Sequence, residues 1–189
     1  MANPSLAAKY EILTIEKNGK KYSLASKVTS FDYYESLLSP NVTATMSFVD
    51  TSLVEYDESS VNYDKEYDPQ ERSGTIYNAL PITGSEEVRF RISSALGVLD
   101  FSNTPLYVNG ASNPDQESNR ESVILSLVSR SAIKNQETHV KKNYSKHTNN
   151  NNIVESIVKN VLKIDKLDLD QTSNKYPFIG NNRSPFDVI

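Results

Sequence analysis

The sequence of 189 residues contains no cysteine, and this absence excludes disulfide bonds and metal sites with cysteine ligands. It also lacks a nucleophile elbow, a zinc-protease helix motif and a phosphate-binding glycine loop, since its six glycines are scattered. No apolar run approaches the roughly 20 residues that a membrane-spanning helix needs. The 20 Lys and Arg are outnumbered by 24 Asp and Glu. The chain therefore lacks the excess of basic residues that is typical of proteins that bind nucleic acids or anionic membranes.

We therefore expect a protein that is not an enzyme, holds no cofactor or metal, binds no nucleic acid specifically and contacts no membrane. Its first residues have neither the basic region nor the apolar region of a secretory signal peptide, so we expect it to fold in a cytosol. A glycosidase pair of carboxylates that only the fold brings together stays an open alternative.

The sequence is rich in tyrosine and phenylalanine, with eleven and six residues, and this composition suits a β-sheet. The stretch 27–50 shows the pattern best. Val42, Ala44, Met46 and Phe48 alternate with small polar residues, which predicts a half-buried strand with these four on its inner face. Ser39-Pro40-Asn41 predicts the turn before it, after a first strand that runs to Leu38.

Other strands are predicted by alternation or by hairpin signals such as Asn18-Gly19. They cover residues 10–15, 20–25, 86–92, 96–101, 104–108 and 121–128. Residues 109–120 are expected to form a polar turn. Seven or eight such strands predict an antiparallel β-barrel, with a mainly β class.

The segment 53–73 interrupts the barrel with acidic residues and interleaved tyrosines. Two interpretations are open: a solvated loop, or an arm that contacts another subunit or protein. Asp64, Glu66 and Asp68 lack the glycine and the terminal glutamate of a calcium loop, so no metal is predicted there. The residues expected to make the contact in this arm are Tyr56, Asp57, Tyr63, Tyr67 and Asp68.

The segment 131–146 is the basic part of the chain. It is either a solvated stretch or the counterpart of the acidic arm, in the same or a neighbouring subunit, with Lys141 and Lys142 as contact residues. His139 and His147 lie eight residues apart without a carboxylate at ligand spacing, so they predict neither a metal site nor a catalytic pair.

The sequence after the predicted barrel shows the periodicity of a helix. Asn152 predicts a helix start, and the apolar residues from Ile153 to Leu162 form one face of about three turns. Ser184-Pro185 predicts another helix start, yet the sequence ends at Ile189, so we expect the N-terminal part of a longer protein. The predicted domains are a barrel over 1–130, with the arm at 53–73 inserted, and the incomplete start of an α+β domain over 131–189.

The junction Tyr-Tyr-Glu-Ser-Leu-Leu and the strand that ends Ser-Phe-Val-Asp-Thr-Ser at residue 52 resemble the first barrel of a known family. This family is the baseplate central hub protein of T-even-like contractile-tailed phages, whose barrel is similar to the tail-tube subunit. In the order of its elements the resemblance covers residues 10–162. The hub subunit carries two such barrels, whereas one is visible here.

The resemblance implies a structural virion protein in the phage tail baseplate, assembled in the host bacterial cytoplasm. It implies a homotrimer that joins the tail tube to the central spike, with the tail-tube protein, the spike protein and the baseplate wedge proteins as partners. Two alternatives stay open: another tail-tube or wedge component with the same barrel, and a carbohydrate-binding adhesin module.

Overall fold

The structure is a computed structural model that describes residues 8–37, 39–50, 82–117 and 120–189. It divides into two compact units, the second of which takes in residues 36–41 and 130–189. The first unit contains one antiparallel sheet of eight strands, in the order β2-β1-β5-β7-β8-β4-β3, with β6 also paired to β5. The predicted mainly β class is confirmed. The strands are β1 (Lys9–Lys17), β2 (Lys20–Ser23), β3 (Val28–Tyr34), β4 (Thr43–Asp50), β5 (Glu87–Ser94), β6 (Gly97–Asp100), β7 (Leu106–Glu117) and β8 (Arg120–Val128).

The sheet rolls up into a barrel. Its two end strands, β2 and β3, follow each other in sequence with only residues 24–27 between them. The rings of Phe31 on β3 and Phe90 on β5 have centroids 4.7 Å apart. In a flat sheet two strands four places apart would be separated by about 19 Å. The sheet therefore curves until β3 faces β5 across a shared core.

The core confirms the predicted alternation on β4, because Ala44, Met46 and Phe48 are buried while Thr43 and Thr45 keep partial exposure. The Asn18-Gly19 turn is also confirmed, and both residues take the positive φ that a tight hairpin requires. The largest fully buried side chains of this unit are Tyr22, Phe48, Phe90, Leu13, Ile15, Leu24, Met46, Leu106, Leu125 and Leu127.

Two boundaries differ from the sequence prediction. Residues 109–117 do not form the predicted polar turn, because β7 continues through them and pairs with β8 as far as Glu117 with Arg120. Two irregularities, between Val108 and Gly110 and between Ser112 and Asp115, accommodate a polar stretch that includes proline. Strand β3 ends at Tyr34, and the apolar Leu37 beyond it is fully exposed.

The second unit combines helices with a small sheet. Its elements are α1 (Arg130–Glu137), β9 (Asn143–Tyr144), α2 (Asn150–Asn160), β10 (Phe178–Ile179) and a 3-10 turn at Pro185–Asp187. Ile153 and Ile157 of α2 are buried with Val140 in a core of their own. No helix in the described parts of the chain is both long and apolar enough to cross a membrane.

Helix α2 was predicted, but it begins at Asn150, with Asn149 at the cap position instead of Asn152. The start at Ser184 is present only as the single 3-10 turn, where the Ser184 hydroxyl donates to Asp187 at 2.5 Å. Helix α1 was not predicted, because its sequence RSAIKNQE has too few apolar residues to show a helical period.

Candidate interaction surfaces

Two buried ion pairs hold the chain on either side of residues 51–81. Asp50 ends β4 and Glu86 directly precedes β5, and both carboxylates are fully buried. The Lys27 ammonium lies 2.8 Å from Asp50, and the Lys17 ammonium lies 2.5 Å from Glu86. A buried charge is costly unless it is paired, so these pairs stabilise the end of β4 and the bend before β5.

The chain before β5 wraps around the Glu86 carboxylate. The backbone N–H groups of Thr83 and Gly84 donate to its two oxygens at 2.9 and 3.0 Å. Gly84 and Ser85 both have positive φ, and this left-handed bend places the N–H groups on the carboxylate. Burial alone would raise the pKa of Glu86, but the Lys17 ammonium and the Thr83 N–H together lower it below its ordinary value.

The sequence reasoning missed these pairs as a functional feature. The signal was present, because Asp50 lies two residues after Phe48 on the inward face of β4, and Glu86 lies two residues before the buried Val88. A carboxylate at a core position of an alternating strand predicts a buried cation nearby. The sequence alone does not show which lysine pairs with each of these two carboxylates.

The outer surface of the barrel has two chemically different faces. On β1, β5 and β6, Arg91 lies between Glu11, at 2.9 Å, and Asp100, at 3.4 Å. On β4 and β8, Thr45 pairs with Ser126 and Ser47 with Ile124, and all four side chains are uncharged. The face around Arg91 therefore carries ion pairs, whereas this part of β4 and β8, the hydroxyl face around Thr45, carries hydroxyl and apolar groups.

A two-stranded ribbon carries five of the exposed cations of the second unit. Strands β9 and β10 pair Tyr144 with Phe178. Two isolated bridges, Val140 with Arg183 and Asn149 with Lys175, extend this pairing at either end. We call residues 138–149 and 175–183 the basic ribbon. A β-carbon added at Gly180 would lie 2.3 Å from the Val140 carbonyl oxygen, so only glycine allows the two segments to approach this closely.

The predicted contact residues Lys141 and Lys142 both lie in the basic ribbon and are exposed. The Lys142 ammonium is 5.0 Å from the centre of the Tyr144 ring, a cation–π distance. The Tyr144 hydroxyl in turn donates to Ser156 of α2 at 3.1 Å. The other exposed cations of the ribbon are Lys146, Lys175 and Arg183.

The other five predicted contact residues, Tyr56, Asp57, Tyr63, Tyr67 and Asp68, lie in residues 51–81, outside the described residues. Their contact stays a prediction. Within the described ranges no group of three or more His, Asp or Glu is placed to bind a metal ion.

Comparison with known proteins identifies the fold. No family model matches the sequence, and no curated protein matches it. The crystal structure of the 43 kDa tail protein of prophage MuSo2 from Shewanella oneidensis matches with a TM-score of 0.53 at 12% identity, over 94% of this chain and 47% of that one. The chain shares the fold of a phage tail protein.

A second solved structure is similar. It is an Escherichia coli component of the type VI secretion system that exhibits structural similarity to the T4 bacteriophage tail proteins gp27 and gp5. The TM-score is 0.53 at 13% identity, over 92% of this chain and 40% of that one. The chain therefore spans less than half the length of either protein. The predicted relation to phage tail proteins is confirmed at the level of the fold.

Proposed function

We propose that the chain is a structural component of a phage tail and, more specifically, a baseplate hub subunit that joins the tail tube to the central spike. The observation that supports this is the likeness to a prophage tail protein over 94% of the chain. A second likeness, over 92% of the chain, is to a type VI secretion component that itself resembles tail proteins. The protein acts by assembly and without catalysis.

The proposed working form is a homotrimeric ring in the baseplate of the virion, assembled in the host bacterial cytoplasm. A closed ring needs a heterologous contact, in which one patch meets a different patch on the next copy. The barrel is compatible with this requirement, because the ion-paired face around Arg91 and the hydroxyl face around Thr45 differ in their chemistry. The partners are the tail-tube protein, the spike protein and the baseplate wedge proteins.

The buried pairs suit a subunit of this kind. Their lysine partners hold Asp50 at the end of β4 and Glu86 directly before β5, so the sheet is fixed at both positions.

The experiment is mass photometry of the full-length chain, alone and with the tail-tube and spike proteins of the same particle. The proposal predicts a trimer that retains both partners. A six-membered ring would instead support another tail-tube component with the same fold. A monomer at every concentration that binds neither partner would refute assembly into a tail, and glycan binding by that monomer would favour an adhesin module.

A further inference from the structure

The hairpin of β5 and β6 ends in an exposed apolar tip. Leu96 is 92% exposed and Val98 is 58% exposed. Arg91 and Asp100 pair across the two strands, and the eight residues between them in the sequence carry no charge. A hairpin turn is ordinarily built from glycine, asparagine, aspartate or serine, so leucine at this point is unusual. We call residues 94–98 the apolar tip.

Hydrogen bonds set the shape of the apolar tip. Ser94 and Gly97 are paired in register, which leaves Ala95 and Leu96 as the two residues of the turn. The Leu96 N–H donates to the Ser94 hydroxyl at 3.2 Å, and this hydroxyl donates to the Gly97 carbonyl at 3.4 Å. Gly97 has φ of 148°, a conformation that favours glycine. A contact made by this preformed turn would therefore lose little conformational entropy.

The basic ribbon of the second unit also exposes apolar groups. Ile179 is 66% exposed and Tyr176 is 62% exposed. Phe178 packs with Tyr144 against the core of the unit, so Ile179, the next residue of β10, points to the other side of the ribbon. Because the tip and these ribbon groups are all exposed in their own chain, a contact between them would join two copies.

The charges around the two surfaces differ in sign. Apart from Lys17, which pairs with the buried Glu86, β1, β5 and β6 carry four carboxylates and three cations. The ribbon segments with their flanks, residues 138–150 and 171–186, contain five Lys or Arg and neither Asp nor Glu. The exposed Lys163 and Lys166 of the same unit lie instead in a stretch with three aspartates, residues 163–170. Opposite charges around apolar anchors favour one orientation of a contact.

We propose that the apolar tip of one copy docks on the exposed apolar groups of the basic ribbon of a second copy, with Leu96 against Ile179 at the centre. The contact is heterologous, because the two surfaces are different, and repeating it from copy to copy can close a ring. It rests on the self-association proposed above and names the two patches through which that association occurs.

The first test places a charge at each anchor. Self-association of the full-length chain is measured by mass photometry, and Leu96→Asp and Ile179→Asp should each weaken it at least about tenfold. Leu37→Asp is the matched control and should associate like the wild type, because Leu37 is fully exposed and belongs to neither surface. Circular dichroism melts check that each variant folds like the wild type.

The second test is cysteine cross-linking, which is clean because the chain contains no cysteine. Chains with Leu96→Cys and chains with Ile179→Cys are mixed and oxidised with glutathione disulfide. A covalent dimer should form in this mixture, whereas each chain oxidised alone should stay monomeric on a non-reducing gel. Chains with Leu96→Cys mixed with chains with Lys166→Cys are the control, since Lys166 is exposed outside the ribbon, and they should not cross-link.

The failures are distinguishable. A trimer that both aspartate variants form as well as the wild type overturns this contact and leaves the hub function standing. Leu96→Cys chains that cross-link to each other, and not to Ile179→Cys chains, would show that two tips meet and would overturn the ribbon as the occupant. A wild type that is monomeric throughout overturns both this contact and the proposed ring.

Discussion

The Lys17 ammonium and the Glu86 carboxylate form an ion pair 2.5 Å long that joins β1 to the start of β5, with the carboxylate fully buried. Lys17 also donates to the Thr83 hydroxyl at 2.6 Å, so one lysine holds the whole bend before β5. Together with the pair of Lys27 and Asp50, it stabilises the end of β4 and the bend before β5.

Replacing Glu86 with glutamine should lower the free energy of unfolding, because it removes the charge that compensates Lys17 and weakens two acceptors of backbone N–H groups. Breaking a buried pair costs about 3–5 kcal/mol, and the loss here should lie near the lower end because solvent partly screens Lys17. Urea denaturation measures it. Glu87→Gln, at the first residue of β5 with its side chain partly exposed, is the control and should change stability by less than about 1 kcal/mol.

At acid pH the ionised Glu86 carboxylate should no longer contribute to the free energy of unfolding. Its folded-state pKa is lowered from the ordinary value of 4.5, so the stabilisation is complete above that value and is lost as the pH falls through the lower folded-state pKa. Urea denaturation of the wild type and of Glu86→Gln between about pH 3 and pH 7 tests this, and the difference in stability should shrink towards the acid end. A difference that stays constant or widens on acidification would contradict the sign of the shift.

Phe48 tests the barrel core. It is fully buried on β4, and Phe48→Ala should cost about 3–5 kcal/mol because the transfer free energy of the ring is lost and a cavity remains. Thr45→Ala on the outward face of the same strand is the matched control, with an expected change of less than about 1 kcal/mol. A thermal midpoint that differs little between the two variants would contradict the inward direction of Phe48.

Strand β4 shows how much of the fold the sequence could predict. Its period of two places Ala44, Met46 and Phe48 inside, and the structure agrees, because the alternation itself is set by burial of one face. The hairpin of β7 and β8 shows the limit. Its polar residues 109–117 read as a turn, and only pairing with β8 makes them a strand, which is a tertiary effect that local propensity does not contain.

The candidate surfaces divide in the same way. The exposure of Lys141 and Lys142 could be predicted, since they belong to the basic part of the sequence, and both are exposed in the structure. Their grouping with Arg183 and Lys175 could not, because residues 150–174 separate the two segments of the ribbon in the sequence and only backbone pairing joins them. The buried partners of Asp50 and Glu86 were missed for the same reason.

Gly180 tests the geometry of the basic ribbon. A methyl group there would collide with the Val140 carbonyl, so Gly180→Ala should break the pairing of Val140 with residues 180–183 and destabilise the second unit. Gly110→Ala is the control, since nothing lies within 4 Å of the added carbon. Hydrogen exchange at the Val140 and Asn182 amides, which form the ribbon bonds, should accelerate in the first variant alone. Unchanged protection of these two amides in Gly180→Ala would contradict the close approach.

The central claim is that this chain is a hub subunit of a phage tail, and the copy number of the chain in assembled tails tests it most directly. Tails purified with the chain in place are analysed by quantitative mass spectrometry, with the tail-tube protein as the internal reference and electron microscopy of a tagged copy for its position. The account predicts three copies per tail, located at the junction of tube and spike. Absence from purified tails, or a copy number that rises with tail length as for a tube protein, would contradict it.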